Sequence, residues 1–306
     1  MDRIPFLLFG DGPRLNSGLA RIARDLAVRL YTEQEDLGIR FMQIGVDYPY
    51  GWHWQPWDFY GFQPNPADQG RGPVLDVVAQ CRVEHPGIDP IVFCIMDPSR
   101  VYDITRQANE GEPEIDTDRV WGYFPIDAHN VHEGIGGPAA LAVITAERLL
   151  AYGQYGQQVL RRTLLNHQAK FRHLKLAEKP VPWLSHGIDT RTFRPGVPME
   201  EAGAEFVQWI KKLPQVDLII GAVATNQARK DLGLYFSTVA ELMTRGWKVA
   251  CWIHTDKETN AWSLGELAHT SGLPAKQVSV STGALTDREL AARYYLSTVT
   301  IAPGLG

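Results

Sequence analysis

Short apolar runs recur along this chain, too brief for helices and too uniformly apolar for strands with one wet face. Ile4–Phe9, Ile91–Ile95 and Leu218–Val223 are the clearest. Strands buried on both faces read in this way, and they belong to parallel sheets held between helices. Ile39–Ile44, Val120–Phe124 and Leu141–Ile144 add strand candidates to the first half; Lys248–Ile253, Val278–Val280 and Val299–Ala302 add them to the second. Between the strands lie stretches of helical period. From Gly18 to Tyr31, behind a cap at Asn16 or Ser17, residues Leu19, Ile22, Ala23, Leu26, Ala27 and Leu30 form one apolar stripe. Helices are likewise expected at Leu232–Thr244 and Asp287–Tyr295. The rhythm restarts after the turn-rich Arg194-Pro195-Gly196-Val197-Pro198. The expectation is therefore an α/β chain of two parallel-sheet lobes, residues 1–195 and 196–306.

A chain of 306 residues buries about three quarters of the surface it exposes when unfolded, which is enough for two such lobes. Its formal net charge is −5, with Arg and Lys interspersed among acids. That distribution argues against nonspecific nucleic-acid binding, which needs a concentrated basic face. A small anionic ligand stays compatible, because a few cations make a site locally positive. Cys81, Cys94 and Cys251 match neither a disulfide framework nor a metal pattern. Reduced, buried thiols in a cytoplasmic protein are expected. No run approaches the length of a membrane span, and the first residues lack the apolar core of a signal peptide. Tyr50, Trp52, Trp54, Trp57, Phe59, Tyr60 and Phe62 crowd one segment. Their rings either pin a long loop onto the lobe or meet an acceptor or partner.

Four constellations follow strands, where α/β proteins place ligands. The first is Gly10-Asp11-Gly12-Pro13-Arg14-Leu15-Asn16-Ser17-Gly18. Gly12 and Gly18 allow close backbone approach, and the helix behind them presents free N–H groups. The alternative is an ordinary turn. The second is Phe124-Pro125-Ile126-Asp127-Ala128-His129. Asp127 can orient a hydroxyl or stabilise a cationic centre, and His129 can donate a hydrogen bond; Asp127 can equally cap the next turn. His129, His132 and Glu133 lack the spacing of a zinc signature, so no metal is expected. The third is Ser185-His186-Gly187-Ile188-Asp189, in which His186 and the flexible Gly187 can present imidazole and N–H to a phosphate. Ser185, His186 and Asp189 sit too close in sequence for a hydrolytic triad. The fourth runs from Gly221 to Asp231 and carries Asn226, Arg229 and Lys230. An Arg fork and a Lys point charge together can neutralise a diphosphate leaving group. The alternative is a solvated charged helix start, where two cations oppose the dipole unless an anion or an acid such as Asp231 compensates.

With these residues in order, the chain resembles the retaining glycosyltransferases of the GT-B fold, in particular family four, which includes sucrose synthase and mannosyltransferases. The matching text is Gly12 to Leu30, Tyr123-Phe124-Pro125-Ile126-Asp127, Ser185 to Asp189 with Phe193-Arg194-Pro195, and Asn226 with Arg229-Lys230-Asp231. The resemblance implies two Rossmann-like lobes and a nucleotide diphosphate sugar as donor substrate, without a bound metal or other cofactor. It further implies transfer of a hexose to an acceptor, with retention of the anomeric configuration. Gly18 is then near donor phosphate or acceptor, Arg229 and Lys230 clamp the diphosphate, and His129 or Asp127 meets the sugar. Family members continue after the strand corresponding to Val299–Ala302 with a Glu-Gly-Phe-Gly-like loop that binds the donor. This sequence reaches Gly304-Leu305-Gly306 at that point, so the second lobe is expected to be incomplete. The alternative function is accordingly a non-catalytic or partner-completed GT-B-like binding or structural protein, with a partner chain finishing the lobe. A nicotinamide or flavin oxidoreductase would want a Gly-x-Gly-x-x-Gly turn that is missing here.

Overall fold

The computed structural model describes residues 3–15, 17–49, 51–53, 55–63, 70–105 and 119–302. The cap candidate Asn16, the aromatic residues Tyr50 and Trp54, and the terminal Gly304-Leu305-Gly306 lie outside the described residues. The chain forms two compact units, one running through His186 and the other beginning at Gly187. The boundary expected after Pro195 falls inside the second unit. Phe193 and Val197 pack there with Phe206 and Trp252, which ties the turn-rich segment to the second core.

In the first unit, the strands β1 (Ile4–Asp11), β2 (Ile39–Val46), β3 (Gly51–His53), β4 (Asp58–Phe62), β5 (Ile91–Cys94), β6 (Val120–Phe124) and β7 (Arg148–Ala151) make one sheet. Its order is β3-β4-β2-β1-β5-β6-β7. All neighbours are parallel except the edge pair β3 and β4. Helix α1 (Gly18–Thr32) covers one face with Ala23 and Ala27, beside Leu8, Phe41 and Phe93. The other face lies under α2 (Arg71–Glu84), α3 (Pro98–Thr105), α4 (Gly137–Thr145) and α5 (Gln154–His167). Burial on both faces explains the uniformly apolar runs.

One strand expectation fails. Leu141–Ile144 lies in α4, and the strand comes after it, at Arg148–Ala151. A four-residue apolar run carries no period that separates helix from strand. Pro138 in the first turn and the neighbouring Ala139 and Ala140 decide for helix. The aromatic segment is largely core: Trp57, Phe59, Tyr60 and Phe62 are buried in the β3–β4 corner, and the Trp57 indole donates to Gln43 Oε1 at 3.0 Å. Trp52 stays 45% exposed.

In the second unit α6 (Ala204–Lys212), α7 (Leu232–Thr244), α8 (Leu264–Thr270) and α9 (Asp287–Leu296) flank a parallel sheet. Its strands are β8 (Leu218–Val223), β9 (Val249–Thr255), β10 (Val278–Thr282) and β11 (Val299–Thr300), in the order β10-β9-β8-β11. Phe236, Val239 and Ile253 fill one side of it, and Trp252 packs with Phe206 on the other. Both sheets thus build outward from a first strand and then reverse, the first between β1 and β5, the second between β8 and β11. A crevice opens at the carboxyl ends of the strands where such an order reverses.

Candidate functional site

In the first unit the loop after β1 lies at the reversal. Gly12 N–H donates to Val46 O at 2.9 Å, which ties the loop to β2. A Cβ on Gly12 would stand 2.9 Å from that carbonyl and 3.1 Å from the Tyr48 ring, so close packing accounts for this glycine. Gly18, the first residue of α1, is different. A Cβ there would meet nothing within 4 Å among the described residues, and its φ is not positive. Ser17 caps the helix: its Oγ accepts from Ala20 N–H at 2.9 Å and donates to the Asp11 carboxylate.

The ends of β6 and β7 bring a second group to the same edge of the sheet. The parallel bridge from Ala151 to Trp183 sets that segment beside β7 and leads the chain to His186. The His186 ring lies 4.1 Å from that of Tyr152 and 5.8 Å from that of Tyr123. Packing against them lowers the His186 pKa, because partial burial disfavours the imidazolium. The Tyr123 hydroxyl donates to Leu184 O at 2.7 Å and fixes the segment. Burial first, and then Tyr123 and Asp11, raise the Tyr152 phenol, so the β1 and β7 loops share one electrostatic environment. The Tyr152 hydroxyl has no hydrogen-bond partner among the described residues. Asp189 turns to its own backbone, accepting from Arg191 N–H at 3.1 Å and from the Thr192 hydroxyl at 3.0 Å. Those contacts hold its carboxyl below the usual range, and they leave no hydrolytic relay with His186.

Asp127 and His129 are exposed on the loop after β6. His129 Nδ1 lies 2.7 Å from Asn130 O. A carbonyl only accepts, so Nδ1 carries the proton, and in the neutral ring Nε2 is an acceptor. His129 therefore donates to a ligand only as imidazolium. The loop is held by hydrogen bonds: Asn130 Oδ1 accepts from His132 N–H at 2.8 Å, and Ile135 N–H donates to Thr163 Oγ1 on α5 at 2.9 Å. No group of His, Cys, Asp and Glu suited to a metal ion occurs among the described residues.

In the second unit the loop after β8 lies at the reversal, and its organiser is Asn226. That side chain is fully buried. Its amide donates to the carbonyls of Lys257, Glu258 and Trp262 at 3.1, 3.2 and 2.7 Å, and its oxygen accepts from Trp262 N–H at 3.1 Å. Its amide hydrogens are all spent on the loop after β9 and the side chain is fully buried, so Asn226 acts on any ligand through that loop. Its N–H also donates to Asp256 Oδ1 at 2.7 Å, which holds the Asp256 carboxyl below the usual range. Arg229 is exposed and Lys230 half-buried in a tight turn, and Asp231 closes that turn at φ 41°. Asp231 caps α7 by accepting from Leu234 N–H at 3.2 Å. The cations thus stand one turn ahead of α7, at the carboxyl edge of the sheet. Gly187 opens the second unit, and a Cβ added there would have no neighbour within 4 Å among the described residues.

Sequence reasoning missed the Asp11–Ser17 pair and Tyr152. The signal for Tyr152 was the strand Arg148–Ala151 that it follows, hidden by the placement of that strand on the preceding helix.

No family model matches this chain, and no curated protein does. Solved structures match over its whole length. They include α,α-trehalose 6-phosphate synthase from Burkholderia multivorans, with a TM-score of 0.65, 10% identity, and coverage of 100% of this chain and 78% of that one. The catalytic domain of starch synthase IV from Arabidopsis thaliana, bound to ADP and acarbose, matches with a TM-score of 0.59 at 11% identity, covering 100% of this chain and 79% of that one. A glycosyltransferase from Rickettsia africae has a TM-score of 0.57 at 13% identity, covering 100% and 74%. At these identities the likeness establishes the fold: two Rossmann-like α/β lobes of the GT-B type. These three proteins spread over trehalose-phosphate synthase, starch synthase and an unspecified glycosyltransferase, and none singles out family four. Among the described residues no helix is long and apolar enough to cross a membrane.

Proposed function

We propose that this protein transfers a hexose from a nucleotide diphosphate sugar to an acceptor, with retention of the anomeric configuration. The observation that carries the reading is the position of Arg229 and Lys230. They stand in the loop after β8, at the carboxyl edge where the strand order reverses, on a sheet of GT-B type. In this reading they neutralise the diphosphate as the glycosidic bond breaks. Asn226 and Asp231 position the turn that presents them. His186, kept largely neutral against Tyr152, meets phosphate as a hydrogen-bonding group, and Gly18 leaves room for the ligand beside α1. Asp127 and His129 face the sugar or acceptor. Three buried, unpaired cysteines suit a cytoplasmic setting for this chemistry.

The test is calorimetric titration with UDP, GDP and ADP, without metal, on the native chain and on Arg229→Ala/Lys230→Ala. Loss of two charge-assisted contacts at about 1.5–3 kcal/mol each predicts at least about a hundredfold weaker affinity. The melting temperature should hold, because neither side chain is in the core. Equal affinity in the two proteins sinks the clamp. Binding without sugar transfer would favour a non-catalytic GT-B-like protein instead.

A further inference from the structure

At the opposite end of the first sheet, by the amino ends of β2 and β4, there is a cavity of about 200 Å³. Arg40, the second residue of β2, and Asp58, the first of β4, stand on its rim. The carboxyl half of α2 supplies Gln80 and Glu84. The polar groups hold one another in place. Arg40 reaches Glu84 at 2.6 Å and Asp58 at 3.2 Å, and the Gln80 amide donates to Glu84 Oε1 at 2.8 Å. Trp52 closes one wall, its ring T-shaped to that of Tyr60 at 5.2 Å, and the residue is 45% exposed. The floor is apolar, with Met42 and Cys81 both buried.

The chemistry of the lining narrows the ligand. Two carboxylates repel an anion. Arg40 already pairs with both carboxylates and keeps its charge at any accessible pH, so a cation would have to displace it. A purely apolar ligand would strip water from four polar side chains without replacing their hydrogen bonds. What fits is a small neutral ring with one apolar C–H face and hydroxyls around its edge. The indole face takes the ring, while planar carboxylate, amide and guanidinium groups bond neighbouring hydroxyls. Since the ion pairs already fix the polar groups, binding costs little side-chain ordering. We infer that this cavity is a carbohydrate-binding site for a neutral hexose unit, separate from the loops at the carboxyl edge of the sheet. It would anchor a saccharide to the protein independently of any sugar transfer.

Saturation-transfer NMR tests this with glucose, mannose, galactose and maltotriose, and with glucuronate and glucosamine as charged counterparts. At least one neutral sugar should show saturable, millimolar binding. Trp52→Ala should weaken it by about tenfold, as expected for loss of an aromatic contact, and Gln80→Ala should weaken it several-fold. Gln80 is exposed, so the melting temperature of Gln80→Ala should stay put, and that variant serves if Trp52→Ala, which also loses its contact with Tyr60, folds poorly. Binding should persist in Arg229→Ala/Lys230→Ala. Silence from all the neutral sugars overturns the inference. So does binding that survives both cavity variants but vanishes in the double cation variant, since the sugar would then occupy the proposed transfer site.

Discussion

Replacing Asn226 by alanine separates a structural clamp from a ligand-binding group. Its amide joins the loop after β8 to residues 257–262 through four hydrogen bonds of 2.7 to 3.2 Å. Truncation leaves three carbonyls and the Trp262 N–H without this partner. A buried polar group left unsatisfied costs about 1–3 kcal/mol. Residues 256–260 are exposed, so water rescues part of the loss, and about 2–4 kcal/mol remains as the expected destabilisation. Asn226→Asp is close in shape but aims a carboxylate at three carbonyl oxygens, so it should be at least as harmful. Urea unfolding followed by tryptophan fluorescence measures both. Nucleotide affinity at a temperature where the variants stay folded should fall as well, because the loops lose their register. If Asn226→Ala unfolds within about 0.5 kcal/mol of the native chain, the range of a neutral surface change, the clamp argument is refuted. If its nucleotide binding falls all the same, the side chain is a direct ligand group.

Two further perturbations test the second core and its charge balance. Gly221→Ala places a Cβ 2.5 Å from the Trp252 ring, and that indole is pinned by its hydrogen bond to Ser297 Oγ at 2.8 Å. Overpacking there should cost about 3 kcal/mol, read from the same urea curves, and an unshifted midpoint would contradict the packing. The His254 pKa is lowered by burial, and then by Arg293. The unfolded chain therefore takes up a proton near pH 6.5, about the free value, that the folded chain refuses until lower pH. Stability conferred by neutral His254 is complete above that pH and is lost on acidification. His254→Gln should flatten the fall in melting temperature between neutral and mildly acid pH, and an unchanged slope would sink the assignment.

Much of the fold can be read from the residues, because strands buried on both faces leave no alternation to misread. Leu218–Val223 and Val120–Phe124 coincide with their strands, and Leu232–Thr244 with its helix. The failures share a cause. Leu141–Ile144 is short and apolar, and only its alanines and Pro138 argue for helix. The edge hairpin β3–β4 lay within a run of aromatics whose packing depends on the rest of the lobe. At the site, the loops were legible since they follow strands, but the duties of side chains within them were not. Asn226 reads as a possible ligand group until four internal hydrogen bonds are seen. Tyr152 acquires meaning only when the bridge at Trp183 brings His186 against it.

Gly18 presses the same distinction further. Gly12 has an internal reason to be glycine, since Val46 O and Tyr48 leave no room for a side chain. Gly18 has none: no positive φ demands it, and a Cβ would meet nothing within 4 Å among the described residues. It is exposed at the start of α1, where alanine would be the better helix former, by up to about 1 kcal/mol. A chain that forgoes this stability gains something only if another molecule needs the space. Gly18→Ala is therefore expected to unfold at equal or higher urea than the native protein, yet to bind nucleotide sugar or turn it over less well. A variant that is stabilised and keeps full binding and turnover would show that the glycine leaves room for nothing, and the loop after β1 would revert to an ordinary strand-to-helix turn.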